Sequence, residues 1–383
     1  MMQMANKKIK VGIDIRDLKI SKTGAHTYLL EVCNHFNKNS SQFEYVFLDT
    51  KRAVYTGPNK LLKLGEQLSF FIWKQITLPL KAFYNQCDIV FCSDYFVPYV
   101  HLGFKTIVVF YDAFVWEYPE HYNKYWLWLF NKMAVGAAKR SSYIITLTNY
   151  TQKKIVQYSG IDQEKIVPIY LGPKTKTAIN NSAQLAEDVI KWEWLFDKPY
   201  LLHVGTLEKR KNIEVLVNAF EQLIQQGDQE SYLVFVGQPS NKETLNENSV
   251  FYKINHSPAL SKRIIFTGFL SDQGVATFYK HTSLYVFPSI NEGFGIPVLE
   301  AFAHHVPVAI ANNTCLPEVA GDAAIAFDPY DSTDLLNVIK NVLEQPALRH
   351  ELIEKGNERL KMFSWTKTVI ELEQVFQKTY DNK

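Results

Sequence analysis

From residue 200 onward, short apolar β-prone runs alternate with longer stretches whose apolar residues recur at helical spacing. The runs 200–204, 232–236, 264–267, 284–287, 308–311 and 324–327 predict strands. Strands separated by helical patterns are the βαβ rhythm of a parallel sheet with helices on both faces. Gly205, Gly237, Gly268 and Gly293 each stand just past a strand, on the edge where such sheets bind ligands. The first half has the same rhythm, less regularly, with strands at 9–15, 43–48, 89–92, 106–110, 143–147 and 166–170. Tyr28, Leu29, Val32 and Phe36 fall at helical spacing after Gly24, and Thr148 reads as the N-cap of a helix running through 155–158. Gly172-Pro173 ends this half, and a linker is expected over 173–199. The reading is therefore α/β with two doubly wound domains, 1–180 and 190–364, followed by a helical run within 365–383.

One stretch, 284–300, carries candidate chemistry. Its apolar strand is broken by Gly293 and Gly295, and Pro297 then opens a helix through Val298, Leu299 and Ala301. The first amides of a helix are unpaired and carry partial positive charge, so a phosphate or polyol can sit against them. Glu292 and Glu300 flank this turn. Two carboxylates suit a ligand with hydroxyls on both sides of a diphosphate, because a carboxylate accepts two strong hydrogen bonds from a diol. A nucleotide sugar is such a ligand.

Composition narrows the class. At 383 residues and 47% hydrophobic, the chain has enough apolar content for two packed cores. Cys33, Cys87, Cys92 and Cys315 make neither a C-x-x-C pair nor a zinc spacing and read as buried thiols of a reducing compartment. No apolar run approaches a transmembrane length, and no secretory h-region follows the N-terminal lysines, so a cytoplasmic location is expected. The net charge of +2 divides unevenly: residues 1–180 carry 23 Lys and Arg against 13 Asp and Glu, and the remainder 18 against 26. In the basic half, 60–84 and 118–140 mix lysines with Leu68, Phe71, Tyr125, Trp126 and Trp128. Such mixtures suit either a core or the headgroup layer of an anionic membrane, and no nucleic-acid signature accompanies them.

The segment Glu292-Gly293-Phe294-Gly295-Ile296-Pro297-Val298-Leu299-Glu300 resembles the paired-glutamate motif of the retaining glycosyltransferases of family 4, which have the GT-B architecture. Val204-Gly205-Thr206-Leu207-Glu208-Lys209-Arg210-Lys211-Asn212 is similar to that family's donor-diphosphate loop. The likeness is strongest over 200–328 and implies two Rossmann-like domains facing across a cleft, with the last helix packed back on the first. It implies that Arg210 and Lys211 stabilise the departing diphosphate, that Glu292 contacts the donor sugar, and that Glu300 takes the ribose hydroxyls. Gly205, Thr206, Gly293, Phe294, Gly295, Ile296, Pro297 and Val298 would line the donor, Thr267 and Gly268 the base, and Gly24, in Lys22-Thr23-Gly24-Ala25-His26, the phosphates. Tyr111-Asp112 stands where family members commonly have His-Asp, so Tyr111 replaces a histidine and Asp112 is a candidate for the acceptor hydroxyl or the sugar.

The resemblance further implies metal-independent transfer without a cofactor, in keeping with the lack of a D-x-D motif. Within the family the sequence looks most like mannosyl- and rhamnosyltransferases of bacterial polysaccharide assembly. The expected partners are a nucleotide-sugar donor, with GDP-mannose as the candidate, and a glycan or polyprenyl-linked acceptor, with peripheral contact to the inner face of an anionic membrane and no nucleic acid. Two alternatives stay open: a non-catalytic nucleotide-sugar-binding protein, suggested by Tyr111, and a nucleotide-sugar 2-epimerase of the same architecture, against which the Gly205–Asn212 loop argues.

Overall fold

The computed structural model describes residues 8–20, 24–39, 42–57, 59–174, 187–237, 246–247 and 249–382; Lys22, Thr23 and the part 175–186 of the expected linker lie outside them. The chain separates into two compact units, Met1–Gly172 with Ser364–Lys383, and Pro173–Phe363.

The first unit is built on six parallel strands, β1 (Ile9–Asp14), β2 (Phe43–Leu48), β3 (Ile89–Cys92), β4 (Lys105–Phe110), β5 (Tyr143–Thr146) and β6 (Ile166–Pro168). Their order is β2-β1-β3-β4-β5-β6, so the winding reverses between β1 and β3. The central strand β3 is buried along its whole length, which is why it reads as a continuous apolar run rather than an alternating one. Thr148 caps the helix Asn149–Ser159, accepting from the amide of Thr151. The final helix, Trp365–Asp381, lays Phe376 against Phe36, Phe43 and Phe91, and Thr368 donates to the Tyr170 carbonyl at 2.7 Å.

The second unit has strands β7 (Tyr200–Val204), β8 (Tyr232–Val236), β9 (Ile264–Phe266), β10 (Leu284–Phe287), β11 (Val308–Ala311) and β12 (Ala324–Phe327). All are parallel, in the order β12-β11-β10-β7-β8-β9, so the reversal falls between β7 and β10. The loops after these two strands hold the two sequence motifs. The first of them also explains Gly237, which has φ +145° and would place a Cβ 2.3 Å from the carbonyl oxygen of Gly205. Gly237→Ala is expected to destabilise the unit by about 1–3 kcal/mol. Gly160→Ala is the control: φ is +62° there but nothing lies within 4 Å, so only the backbone cost of about 1 kcal/mol remains. Urea unfolding of the two variants checks this, and equal losses would show that the carbonyl yields freely.

The basic aromatic segments of the first unit divide between core and surface. The helix Lys60–Ile72 runs through a π-helical turn, Trp73–Thr77, into the helix Leu78–Tyr84. Trp73, Leu78 and Phe130 enter the core, whereas Leu61 and Tyr84 are each 79% exposed, Tyr125 85% and Trp128 61%. The acid of the 60–84 segment, Glu66, is tied to Arg16. All four cysteines are free and buried. Among the described residues, no helix is long and apolar enough to cross a membrane.

Candidate active site

The reversal between β7 and β10 brings two loops together. After β7 the chain passes Gly205, the exposed Thr206 and the buried anchor Leu207, then makes a 3₁₀ turn over Lys209–Lys211. Asn212 closes the turn in the left-handed conformation and donates to the Pro329 carbonyl at 2.6 Å, which fixes where Arg210 and Lys211 point. After β10, Ser289 is fully buried; its hydroxyl lies 3.0 Å from the Arg210 carbonyl, and the Ile290 amide donates to that same carbonyl at 2.8 Å.

These loops converge on one oxygen. Oε1 of Glu292 accepts from Lys211 at 2.5 Å, Ser289 at 2.7 Å and Arg210 at 3.1 Å, while Oε2 has no protein partner among the described residues. Burial alone would push the Glu292 carboxyl up, but the two cations and the hydrogen bonds from Lys211 and Ser289 outweigh it and hold the group below the usual carboxylate range. Lys211 is only 9% exposed in its side chain; burial pulls its ammonium down against the opposing pull of Glu292. The result is a charged carboxylate with one oxygen pinned and one available, beside two cations that it neutralises only in part.

The helix Ile296–Ala303 follows directly. Gly295 caps it at φ +94°, a conformation that favours glycine, and Pro297 stands in its first turn. Phe294 and Val298 turn their side chains into the core, Phe294 against Phe363. With Gly293, Gly295, Ile296 and Pro297 they can therefore face a ligand mainly through backbone. Glu300 lies one turn along, 3.4 Å from the Tyr279 hydroxyl; burial raises its carboxyl, countered in part by Lys174. Thr267 and Gly268 follow β9, with the Thr267 hydroxyl 3.0 Å from the Gly268 carbonyl.

The remaining candidates belong to the first unit. Gly24 begins the helix Gly24–Asn39 and is exposed. Asp112, past β4, accepts from Tyr95 at 2.8 Å and from the Phe114 amide at 2.9 Å, so one of its oxygens shapes the following turn. The Tyr111 hydroxyl is buried beside Ser93 without a well-formed hydrogen bond. Burial, with the fields of Tyr28, Asp17 and Asp94, pushes that phenol well above its ordinary value, so it stays neutral near pH 7.

Sequence reasoning missed three features. Ser289 had a signal in its place at the exit of β10, but nothing marked it as the third donor to Glu292. His203, inside β7, is fully buried: its Nδ1 faces the Val286 carbonyl at 3.1 Å, its Nε2 has no partner among the described residues, and burial lowers its pKa to about 4. The third is at the reversal point of the first sheet. Asp14 at the end of β1 and Cys92 and Asp94 at the end of β3 bring their ligand atoms within 4.8 Å of one another, an arrangement able to hold a cation. Lys74, reaching in from the π-helical turn, bonds Asp14 at 2.6 Å and also bonds Asp94, and Trp73 donates to Asp14 at 3.0 Å. Lys74 carried no sequence signal, because a lysine among aromatics reads as solvated.

Two family models match the chain: "Glycosyl transferases group 1" over residues 186–359 and "Glycosyltransferase Family 4" over 22–176. The chain is 26% identical over 272 residues to the O-antigen chain mannosyltransferase B of Escherichia coli, covering 71% of this chain and 69% of that one. It is 27% identical over 296 residues to the serotype-specific mannosyltransferase WbdA of the same organism, with 73% of this chain covered but only 36% of the relative, about a third of its length. Among solved structures, the sucrose-phosphate synthase of Thermosynechococcus elongatus superimposes with a TM-score of 0.71 at 16% identity, over 98% of this chain and 100% of that one. The Anabaena protein HepE, solved with UDP and glucose, gives 0.69 at 15% identity, over 97% and 100%.

Proposed function

From the premise that this chain belongs to the family 4 glycosyltransferases, with a GT-B fold and a glycosyl transferases group 1 domain, we propose that it transfers a hexose from a nucleoside diphosphate sugar, GDP-mannose, to a glycan or polyprenyl-linked acceptor in cell-surface polysaccharide synthesis. The observation that carries the reading is Glu292, with Oε1 held by Lys211, Arg210 and Ser289 and Oε2 left for a sugar hydroxyl. The mannosyltransferase relatives support the sugar and the pathway class.

Transfer breaks the bond between the anomeric carbon and the diphosphate oxygen, so the transition state gains negative charge on the leaving group and positive charge on the sugar. Lys211 and Arg210, turning from Glu292 to the diphosphate, stabilise the first without a metal or cofactor; Glu292 holds the sugar and lies close to the second. The acceptor oxygen bonds to the anomeric carbon on the face the diphosphate leaves, which retains configuration, and its proton passes to the leaving phosphate. No side-chain base is required, so a neutral Tyr111 can serve as a hydrogen-bond donor. Glu300 takes the ribose hydroxyls, and Asp112 is the candidate for the acceptor hydroxyl or the sugar.

The test is product analysis with GDP-mannose and polyprenyl-linked glycan acceptors. An α-mannosylated product from the α-linked donor supports the reading. If the native protein and Tyr111→His both bind GDP-mannose and neither turns over with any acceptor, the non-catalytic binding reading, which the buried Tyr111 hydroxyl favours, replaces it.

The acceptor reading extends to the membrane. Leu61, Leu64, Leu68, Phe71, Phe83 and Tyr84 are exposed in a segment whose acid is already paired, and Tyr125 and Trp128 are exposed among Lys124 and Lys132. This surface suits the headgroup layer of an anionic inner leaflet. Co-sedimentation with phosphatidylglycerol vesicles is expected to exceed that with neutral vesicles and to fall in Leu64→Glu/Phe83→Glu. Equal recovery in the supernatant with both vesicle types refutes the contact.

A further inference from the structure

Glu292 stands on backbone that belongs to no helix or strand, since 290–292 lie between β10 and the helix Ile296–Ala303. Without a ladder or a helix to pair them, the carbonyls of such a segment need donors from elsewhere. Here all three take side chains. Asn313 Nδ2 donates to the Ile290 carbonyl at 3.2 Å, Arg210 to that of Asn291 at 3.4 Å, and the Cys315 thiol to that of Glu292 at 3.1 Å. Two of these donors come from one turn, which leaves β11 and enters the helix Leu316–Ala320. That turn is itself fixed: the Asn312 amide donates to the Phe327 carbonyl at 2.7 Å, Thr314 is held at φ +51°, and a Cβ on Gly295 would stand 2.9 Å from Cδ2 of Leu316. Cys315 is fully buried. Burial, with the field of Glu292, pushes its thiol well above the ordinary value, so the proton stays on sulfur and is there to be donated.

We propose that Cys315 is a positioning residue for sugar transfer: through the Glu292 carbonyl, with Asn313 beside it, it sets the direction in which Oε2 of Glu292 meets the donor sugar. The proposal rests on the nucleotide-sugar reading above. Lys211, Arg210 and Ser289 pin Oε1, but a carboxylate pinned at one oxygen can still swing about it. The other oxygen is aimed by the backbone that carries the side chain. A thiol is a weak donor, so what Cys315 supplies is direction rather than strength. The diphosphate depends less on this clamp, because the loop bearing Arg210 and Lys211 has its own anchor in the bond from Asn212 to the Pro329 carbonyl. Binding of the sugar and binding of the diphosphate thus rest on different supports, which makes them separable.

Calorimetric titration of the full chain with GDP-mannose and GDP, and with UDP-glucose and UDP, reads the two supports separately. Cys315→Val nearly keeps the volume and loses the donor, whereas Cys315→Ser keeps a donor and loses volume. In Cys315→Val the nucleotide sugar should weaken by about tenfold relative to its diphosphate, which binds as to the native protein. Donor kcat/KM should fall by about 10–100-fold, the cost of a small misplacement at the reacting centre. Cys315→Ser should stay within about threefold of native throughout. A thiol that only filled space would give the reverse order, with Val near native and Ser impaired. That result overturns the proposal, as does an equal loss for sugar and diphosphate. Should Cys315→Val not fold, Asn313→Ala at its half-buried position carries the same expectation, with a relative loss of about threefold, and an unmoved ratio there overturns the clamp. If only the uridine pair binds, the GDP-mannose assignment falls and the same comparison on that pair decides Cys315. If the native protein binds neither nucleotide sugar, the nucleotide-sugar reading falls, and this proposal with it.

Discussion

Replacing Lys211 with methionine is expected to cut sugar transfer by roughly 10²–10³-fold, the cost of losing one preorganised charge aimed at a leaving group. The same change at Arg210 should cost less, about tenfold, because its side chain is 33% exposed and water screens it. Glu292→Gln should lose turnover as Lys211→Met does, with an added loss of stability. The amide leaves the Lys211 ammonium buried without a countercharge, a situation that costs about 3–5 kcal/mol when a buried pair is broken. The pH dependence has a definite sign. The Glu292 carboxyl is held below its ordinary value in the folded protein, so the unfolded chain binds the proton more tightly. The stability it contributes is present above the usual carboxylate range and is lost as pH falls through the folded value. Steady-state kinetics with denaturant unfolding at pH 7 and pH 4 would check both parts. Turnover in Lys211→Met within threefold of native would remove Lys211 from the mechanism, and a Glu292→Gln stability loss that persists undiminished at pH 4 would show that charge is not its cause.

The second large effect is expected in the first unit. Lys74→Met should destabilise it by about 3–5 kcal/mol, because Asp14 and Asp94 then face each other, buried, without the cation between them. The loss should shrink on acidification: a carboxylate buried without a cation has a folded pKa above its unfolded one, so protonation favours the folded state as pH falls. Adding Asp94→Asn to Lys74→Met should recover part of the stability. Hydrogen exchange at the amides of β1 and β3, at pH 7 and pH 5, reads the effect locally. A loss under 1 kcal/mol and independent of pH would mean that the ammonium only balances its own desolvation. Both residues of the pair sit where the winding of the sheet reverses, the place at which doubly wound sheets bind ligands. Here the chain supplies its own cation, carried there by a π-helical turn.

The twelve strands were legible because buried parallel strands need unbroken apolar runs, as 89–92 and 284–287 show; only their ends moved. The run 264–267 stops at Phe266 and 166–170 at Pro168, since strand ends depend on the partner across the ladder rather than on local preference. The aromatic segments of the first half could not be sorted in advance, because periodicity does not say whether Trp73 or Trp128 meets the core: Trp73 is buried and Trp128 exposed.

By itself the sequence determined the α/β class, the strand-turn-helix around Glu292 and the family, because these rest on short-range patterns: apolar runs, glycines at turns, and two motifs of fixed spacing. Tertiary structure decided which oxygen of Glu292 is pinned and which is free, that Ser289 ties the two loops, and that Lys74 fills the space between Asp14 and Asp94. Those residues are 60 and 81 positions or so apart in pairs such as Lys74 with Asp14 and Lys211 with Glu292. A charge takes its value from the neighbours that folding brings to it and the water that folding removes, and neither is written in the residues beside it in the chain.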